Sequence, residues 1–164
     1  MIELFGNMWD FDNTYIKCIT TNGTITKDGR NVMGGGCARE AAERYPELPS
    51  IVGEFIQNHG NKFFPARFGG GRFSSNQPNC ILIFPVKHQV WANADINLIV
   101  ESCHKLMEFA DTYLVISNGN YDGKTKILLP RPGCGSGGLD WKDVKPIIEP
   151  ILDDRIAIIH FQED

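Results

Sequence analysis

The sequence predicts an α/β protein with helices on both sides of a largely parallel sheet. Strand-like and helix-like segments alternate along nearly the whole chain, the pattern that builds β-α-β units. The run CILIFPV, residues 80–86, is continuously apolar and bounded by turn residues, as suits a strand covered on both faces. Two glycine runs, NVMGGGCARE and RPGCGSGGLDW, each lie between a strand-like stretch and a helix start. In an open α/β sheet that is the crevice at the carboxyl ends of the strands.

Residues 2–5 and 15–20 (YIKCIT) read as short strands joined by the turn-rich NMWDFDN. The polar TTNGTITKDGRN leads into Gly34, Gly35 and Gly36, and CAREAAERY then favours helix up to Pro46 through its alanines and charged residues. LPSIVGEFIQNHG predicts a second helix, with Ser50 as its cap and Ile51, Phe55 and Ile56 on one face. FFPARFGGGRFSSNQPN, residues 63–79, reads as a long loop or irregular hairpin at the surface. From Asn93 to about Phe109 the chain places Ile96, Ile99, Val100, Cys103, Leu106 and Met107 at helical spacing. TYLVISN fits either a strand or continued helix, and NGNYDGK is a turn. KILLP predicts a strand, LDWKDVKPIIEPIL a helix and RIAIIHF the last strand. Asp140 can cap that helix, Asp143 favours its positive end, and Val144, Ile147, Ile148, Ile151 and Leu152 form its apolar face. Pro146 and Pro150 remove backbone donors and predict a kink or an early end.

A chain of 164 residues fits one domain, expected over 1–164. Its 42% hydrophobic and 22% charged content is that of a globular protein, and no apolar run approaches the roughly 18 residues of a membrane span. The N-terminus alternates like a strand and carries no secretory pattern, so a cytoplasmic location is expected. A net charge of −4 argues against a general nucleic-acid-binding face. Five cysteines, odd in number and without a C-x-x-C pair, fit a reduced setting and no zinc site.

Gly133, Gly135, Gly137 and Gly138 occupy four of six positions, and each costs conformational entropy on folding. One use for such freedom is to bring bare backbone N–H groups and a helix dipole against a phosphate. Two such loops facing one another could clamp a diphosphate; tight turns without a ligand are the alternative. Neither run is a P-loop, and the G-x-G-x-x-G within the second comes too late in the chain for a dinucleotide fold.

N-V-M-G-G-G-C-A after T-T-N-G, F-P-V-K-H-Q-V-W after a strand, and L-P-R-P-G-C-G-S-G-G-L-D-W before the last helix together resemble a macro domain. They look like the subgroup containing terminal ADP-ribose glycohydrolases and the antitoxins that remove ADP-ribose from DNA. The resemblance spans Gly6 to the last strand and implies a three-layer α/β/α sandwich with a mixed, largely parallel sheet. It also implies binding of ADP-ribose or an ADP-ribosylated protein or DNA, with no cofactor and no metal. Gly133, Cys134, Gly135, Ser136, Gly137, Gly138 and Leu139 would wrap the diphosphate. Met33, Gly34, Gly35, Gly36, Cys37 and Ala38 would form the opposite wall, and Asn22 would reach the distal ribose. Gly6-Asn7-Met8 falls at the adenine end, where Asn7 replaces the family's aspartate and offers a neutral hydrogen bond.

By the same resemblance Lys87 aligns with a lysine that attacks the anomeric carbon of the distal ribose. That chemistry needs a free amine, which burial favours and a nearby diphosphate opposes. A phosphate counter-ion and an ordinary lysine flanking a strand are the other readings of Lys87. The partner acid of the glycohydrolases falls at Gly137, where the DNA-directed antitoxins also have glycine. His88 could act as acid or base, although neighbours on a strand point oppositely. Trp9, Trp91 and Trp141 read as packing residues and Cys134 as a small buried filler. Three functions follow in order: an ADP-ribosyl glycohydrolase, a non-catalytic ADP-ribose or signalling-nucleotide binding module, and a phosphatase acting on ADP-ribose 1″-phosphate.

Overall fold

The computed structural model describes residues 1–12, 14–68, 80–114 and 123–161. In chain order they form β1 (Ile2–Phe5), a single 3-10 turn at Met8–Asp10, β2 (Tyr15–Thr21), α1 (Gly36–Arg44), α2 (Leu48–His59), β3 (Phe64–Arg67) and β4 (Cys80–Pro85). There follow α3 (Ile96–Tyr113), β5 (Lys126–Pro130), α4 (Trp141–Ile148) and β6 (Ile156–His160). The six strands make one sheet in the order β1-β6-β5-β2-β4-β3. Every neighbouring pair is parallel except β3 and β4.

β4 is apolar and buried at every position because both of its faces are covered. Along β4, Cys80, Leu82 and Phe84 join one core with Ile127 and Leu129 of β5, Ile156 and Ile158 of β6, and Ile99, Cys103 and Leu106 of α3 and Val144 of α4. The alternate positions Ile81, Ile83, Leu128 and Ala157 face the other way, onto Ala38 and Ala41 of α1 and Leu48 and Val52 of α2. Each fully buried Ile or Leu contributes about 1.5–3 kcal/mol. The two cores hold helices on opposite sides of a mixed, largely parallel sheet, as the alternation of segments predicts.

The differences are local. Ser50 does not cap α2, whose first turn begins at Leu48 with Pro49 in it; Glu47 is the flanking residue and makes no side-chain cap. Proline needs no donor in a first turn, so the helix starts three residues early. The third helix starts at Ile96, behind the cap Asp95 Oδ1, which accepts from Asn97 N at 2.9 Å, and continues to Tyr113. The 63–79 segment opens as β3, antiparallel to β4, as its hairpin alternative requires; residues 69–79 lie outside those described. Within TYLVISN and NGNYDGK, Tyr113 ends α3 and residues 115–122 are outside the description. Asp140 caps α4 through Lys142 N at 3.1 Å, and the helix stops at Ile148, before Pro150. Among the described residues no helix is long and apolar enough to cross a membrane.

Candidate functional site

A cleft of about 920 Å³ opens at the carboxyl ends of the parallel strands. Its walls are the residues that follow them: Gly6 and Met8 after β1, Thr21 and Asn22 at the end of β2, Lys87 after β4, the second glycine run after β5, and Phe161 after β6. Such a crevice is where ligands enter open α/β sheets. Both glycine runs line it, from Gly34 to Ala38 and from Gly133 to Leu139.

Cys134, Gly138 and Leu139 spend their amides on turns within the second run, but other amides in the two runs have no such partner. Among the described residues, none of the N–H groups of Gly34, Gly35, Gly36, Gly135, Ser136 or Gly137 donates to another protein group. A main-chain donor left without a partner in a cleft is unfavourable unless water or a ligand satisfies it. The two walls differ in electrostatics. Gly35 precedes α1 without any side-chain cap, so that helix presents its partial positive charge to the cleft. The corresponding end of α4 is neutralised by its own Asp140, leaving the second wall to its loop amides.

Space around the glycines separates two roles. A Cβ on Gly35 or Gly135 would meet no atom within 4 Å. A Cβ on Gly137 would lie 2.5 Å from Gly133 O and 2.8 Å from Ala94 Cβ, closer than such atoms pack. Gly133 has φ +77° and equally little room, 2.8 Å from Ile99 Cδ1. The glycine at 137 is therefore required by packing, and this backbone has no room there for the carboxylate that the resemblance associates with that place.

Lys87 lies just past β4 with its side chain largely out of solvent at 8% relative exposure, and its Nζ donates to Val90 O at 3.3 Å. Its carbonyl accepts from Asn61 Nδ2 at 2.9 Å, and its amide reaches Thr21 O at 3.4 Å. His88 is beyond the strand, exposed and outside the cleft wall, where its Nε2 meets Asp95 Oδ2 at 2.8 Å. That hydrogen bond holds the Asp95 carboxyl below its ordinary range, helped by Asn97 N.

The remaining expected residues divide. Asn22 lines the cleft with its amide already employed, donating to Val32 O and accepting from Thr24 N, both at 2.9 Å. Met8 reaches the wall, but Asn7 does not: its Oδ1 accepts from Trp9 N at 3.0 Å and caps the 3-10 turn. Met33 also stays off the wall, packed into the α1–α2 core, while its neighbour Val32 lines the cleft. Trp91 is a correction. It is 78% exposed rather than packed, because the 88–94 turn carries it away from both cores. Trp9 and Trp141 do pack against the cores.

Sequence reasoning missed Glu40, Arg131, His160 and Phe161, all on the cleft wall. For the last two a signal existed, since they follow the apolar run of β6 just as Gly6 follows β1. All five cysteines are free thiols. Cys37 and Cys134 line opposite walls. Burial raises the Cys37 thiol against the opposing Thr20 hydroxyl, 3.6 Å away, and pushes half-buried Cys134 to about 11. Among the described residues no group of three or more His, Cys, Asp or Glu could hold a metal.

No protein-family model matches the sequence, and no curated protein matches it. Solved structures do. The macrodomain of Mycobacterium tuberculosis DarG superposes with a TM-score of 0.72 at 23% identity, covering 99% of both chains. The macrodomain of Thermus aquaticus DarG gives 0.66 at 20% identity, over 99% of this chain and 97% of that one. Thermosipho africanus DarTG, solved in complex with ADP-ribose, gives 0.62 at 20% identity; the match covers 88% of this chain but 38% of that longer one. Agreement of this extent, on a mixed six-stranded sheet with helices on both faces, establishes that the chain has the macrodomain fold.

Proposed function

We propose that the cleft binds ADP-ribose and hydrolyses the glycosidic link that joins it to a modified protein or DNA, within a single domain spanning 1–164 and in a reduced, cytoplasmic setting. One observation carries this reading: six main-chain amides without a protein partner belong to two loops that line one cleft together with Lys87. A diphosphate is the ligand that such donors suit. The ADP-ribose in the Thermosipho africanus structure adds support, since 38% of that chain matches this fold.

In this reading Gly34 to Ala38 and Gly133 to Leu139 hold the diphosphate. Asn22 turns its remaining amide hydrogen toward the distal ribose. At the adenine end Met8 supplies an apolar wall, and Asn7, off the cleft, holds the turn that presents it by accepting from Trp9 N–H. Lys87, once deprotonated and released from Val90 O, attacks the anomeric carbon. The bond to the macromolecule breaks, its leaving atom takes the proton that the amine sheds on forming the new C–N bond, and water then adds its hydroxyl to the sugar and returns a proton to the amine, freeing both. The closed space at Gly137 favours a second reading, a binding module without turnover, because no carboxylate assists there. A phosphatase acting on ADP-ribose 1″-phosphate would use the same diphosphate cradle.

Calorimetry with free ADP-ribose tests the ligand, and no heat at millimolar concentration would remove all three readings. Incubation with ADP-ribosylated DNA, ADP-ribosylated protein and ADP-ribose 1″-phosphate then separates them. Turnover lost in Lys87→Ala with ADP-ribose affinity retained supports hydrolysis; no turnover by the unaltered chain supports the binding module.

A further inference from the structure

Trp91, at 78%, is the most exposed of the large apolar side chains described. A single exposed apolar residue needs no explanation by itself. Its position and support set this one apart. Val90, the preceding residue, lines the cleft and offers its carbonyl to Lys87 Nζ. The indole thus stands one residue beyond the cleft wall, at the Lys87 end.

The turn that displays it is pinned from several directions. Val90 N donates to Thr24 Oγ1 at 2.8 Å, Thr24 Oγ1 donates to Gln89 Oε1 at 2.8 Å, and Ala92 N closes on Gln89 O at 3.1 Å. Asp95 N reaches back to Val86 O at 2.9 Å, and Asn61 holds the Lys87 carbonyl. An aromatic side chain on a fixed backbone has only two torsions left to restrict, so a ring that stacks on it meets little entropic cost.

We propose that Trp91 is a specificity-determining residue, whose exposed indole receives the planar ring of a nucleobase joined to the ligand at the Lys87 end of the cleft. This rests on the ADP-ribose reading above, in which the bond to be broken lies at Lys87. The group on its far side leaves the cleft past Val90 and Trp91. The carboxylate on this turn, Asp95, is tied to His88, which removes it as a lure for a cationic acceptor side chain. An acceptor on an aliphatic side chain would leave the indole bare, whereas a base covers it, and stacking accepts any base.

The test uses the full chain carrying Lys87→Ala, so that substrates persist, with and without Trp91→Ala or Trp91→Phe. Three probes are titrated by calorimetry: free ADP-ribose, an oligonucleotide bearing ADP-ribose on a base, and a peptide bearing it on a glutamate. The base-linked probe is expected to bind on the order of tenfold more tightly than the peptide. Trp91→Ala removes that preference, Trp91→Phe keeps most of it, and free ADP-ribose is unaffected by either. An unchanged melting temperature shows that the fold survives. A preference that persists in Trp91→Ala, or an equal loss on all three probes, overturns the assignment of Trp91 while leaving the ligand reading intact. Failure of the unaltered chain to bind free ADP-ribose overturns the ligand reading, and the role of Trp91 with it.

Discussion

Gly35 and Gly137 are both glycines of the cleft wall, yet a methyl group added to each should have opposite consequences. At Gly35 the added carbon meets no protein atom, and φ is −151°, which any residue adopts. Gly35→Ala is expected to melt within about 0.5 kcal/mol of the unaltered chain and to lose about tenfold or more in ADP-ribose affinity. Gly137→Ala drives its methyl into Gly133 O and Ala94, and should lower stability by about 1–3 kcal/mol in denaturant unfolding. Equal stability of the two variants would refute the distinction. Cys134 offers a second residue-level test. With its thiol near 11, only ~0.1% is thiolate at pH 8, so iodoacetamide labelling should be slow there and rise about tenfold per pH unit toward 11. That the glycine runs would be loops at a cleft was legible because four glycines in six positions need a reason. Which glycines border open space and which are crowded by their neighbours was not, since that depends on Ala94 and Ile99, far away in sequence.

Among the elements, α4 follows the second glycine run and is anchored to the opposite end of the chain. Glu3 on β1 accepts from Lys145 Nζ at 2.8 Å and from Trp141 Nε1 at 3.1 Å, and the Arg131 guanidinium lies 5.2 Å from the Trp141 ring centroid. The Lys145 hydrogen bond holds the Glu3 carboxyl below its ordinary value against the opposing effect of partial burial. A depressed carboxyl stabilises the fold above its unfolded value near 4.5 and ceases to do so as pH falls through the lower folded value. Glu3→Gln should therefore flatten the acid limb of a melting-temperature profile below pH 4.5. An acid limb identical to that of the unaltered chain would show that the pair is idle. Period-two and helical patterns revealed nearly every strand and helix. The exceptions, β3 and the start of α2, are edge features: Pro65 in one and Pro49 in the other obscure the pattern, and each is tolerated where no donor is needed.

At the scale of the molecule, buried thiols couple stability to alkaline pH. Burial pushes both Cys80 and Cys103 to about 12 from an ordinary value of 9.0. The folded chain keeps protons that the unfolded chain releases, so this contribution is complete below about pH 9 and is lost as pH rises toward 12. Melting temperature should fall across that window, and less steeply in Cys103→Ala after allowance for the cavity it leaves. A slope unchanged by the substitution would assign the loss to other groups. The layered architecture and the cleft's place at the strand ends could be read from alternating segments alone. The exposure of Trp91 and the cap role of Asn7 could not, because both depend on where a turn happens to point.

The crowding at Gly137 also constrains any attempt to redesign this protein. A chemist wishing to install a proton donor opposite Lys87 would be drawn to that site, but the methylene of any grafted acid would first have to displace the peptide of Gly133. Gly135, two residues earlier and unobstructed, is the place where such a graft could begin without rebuilding the loop.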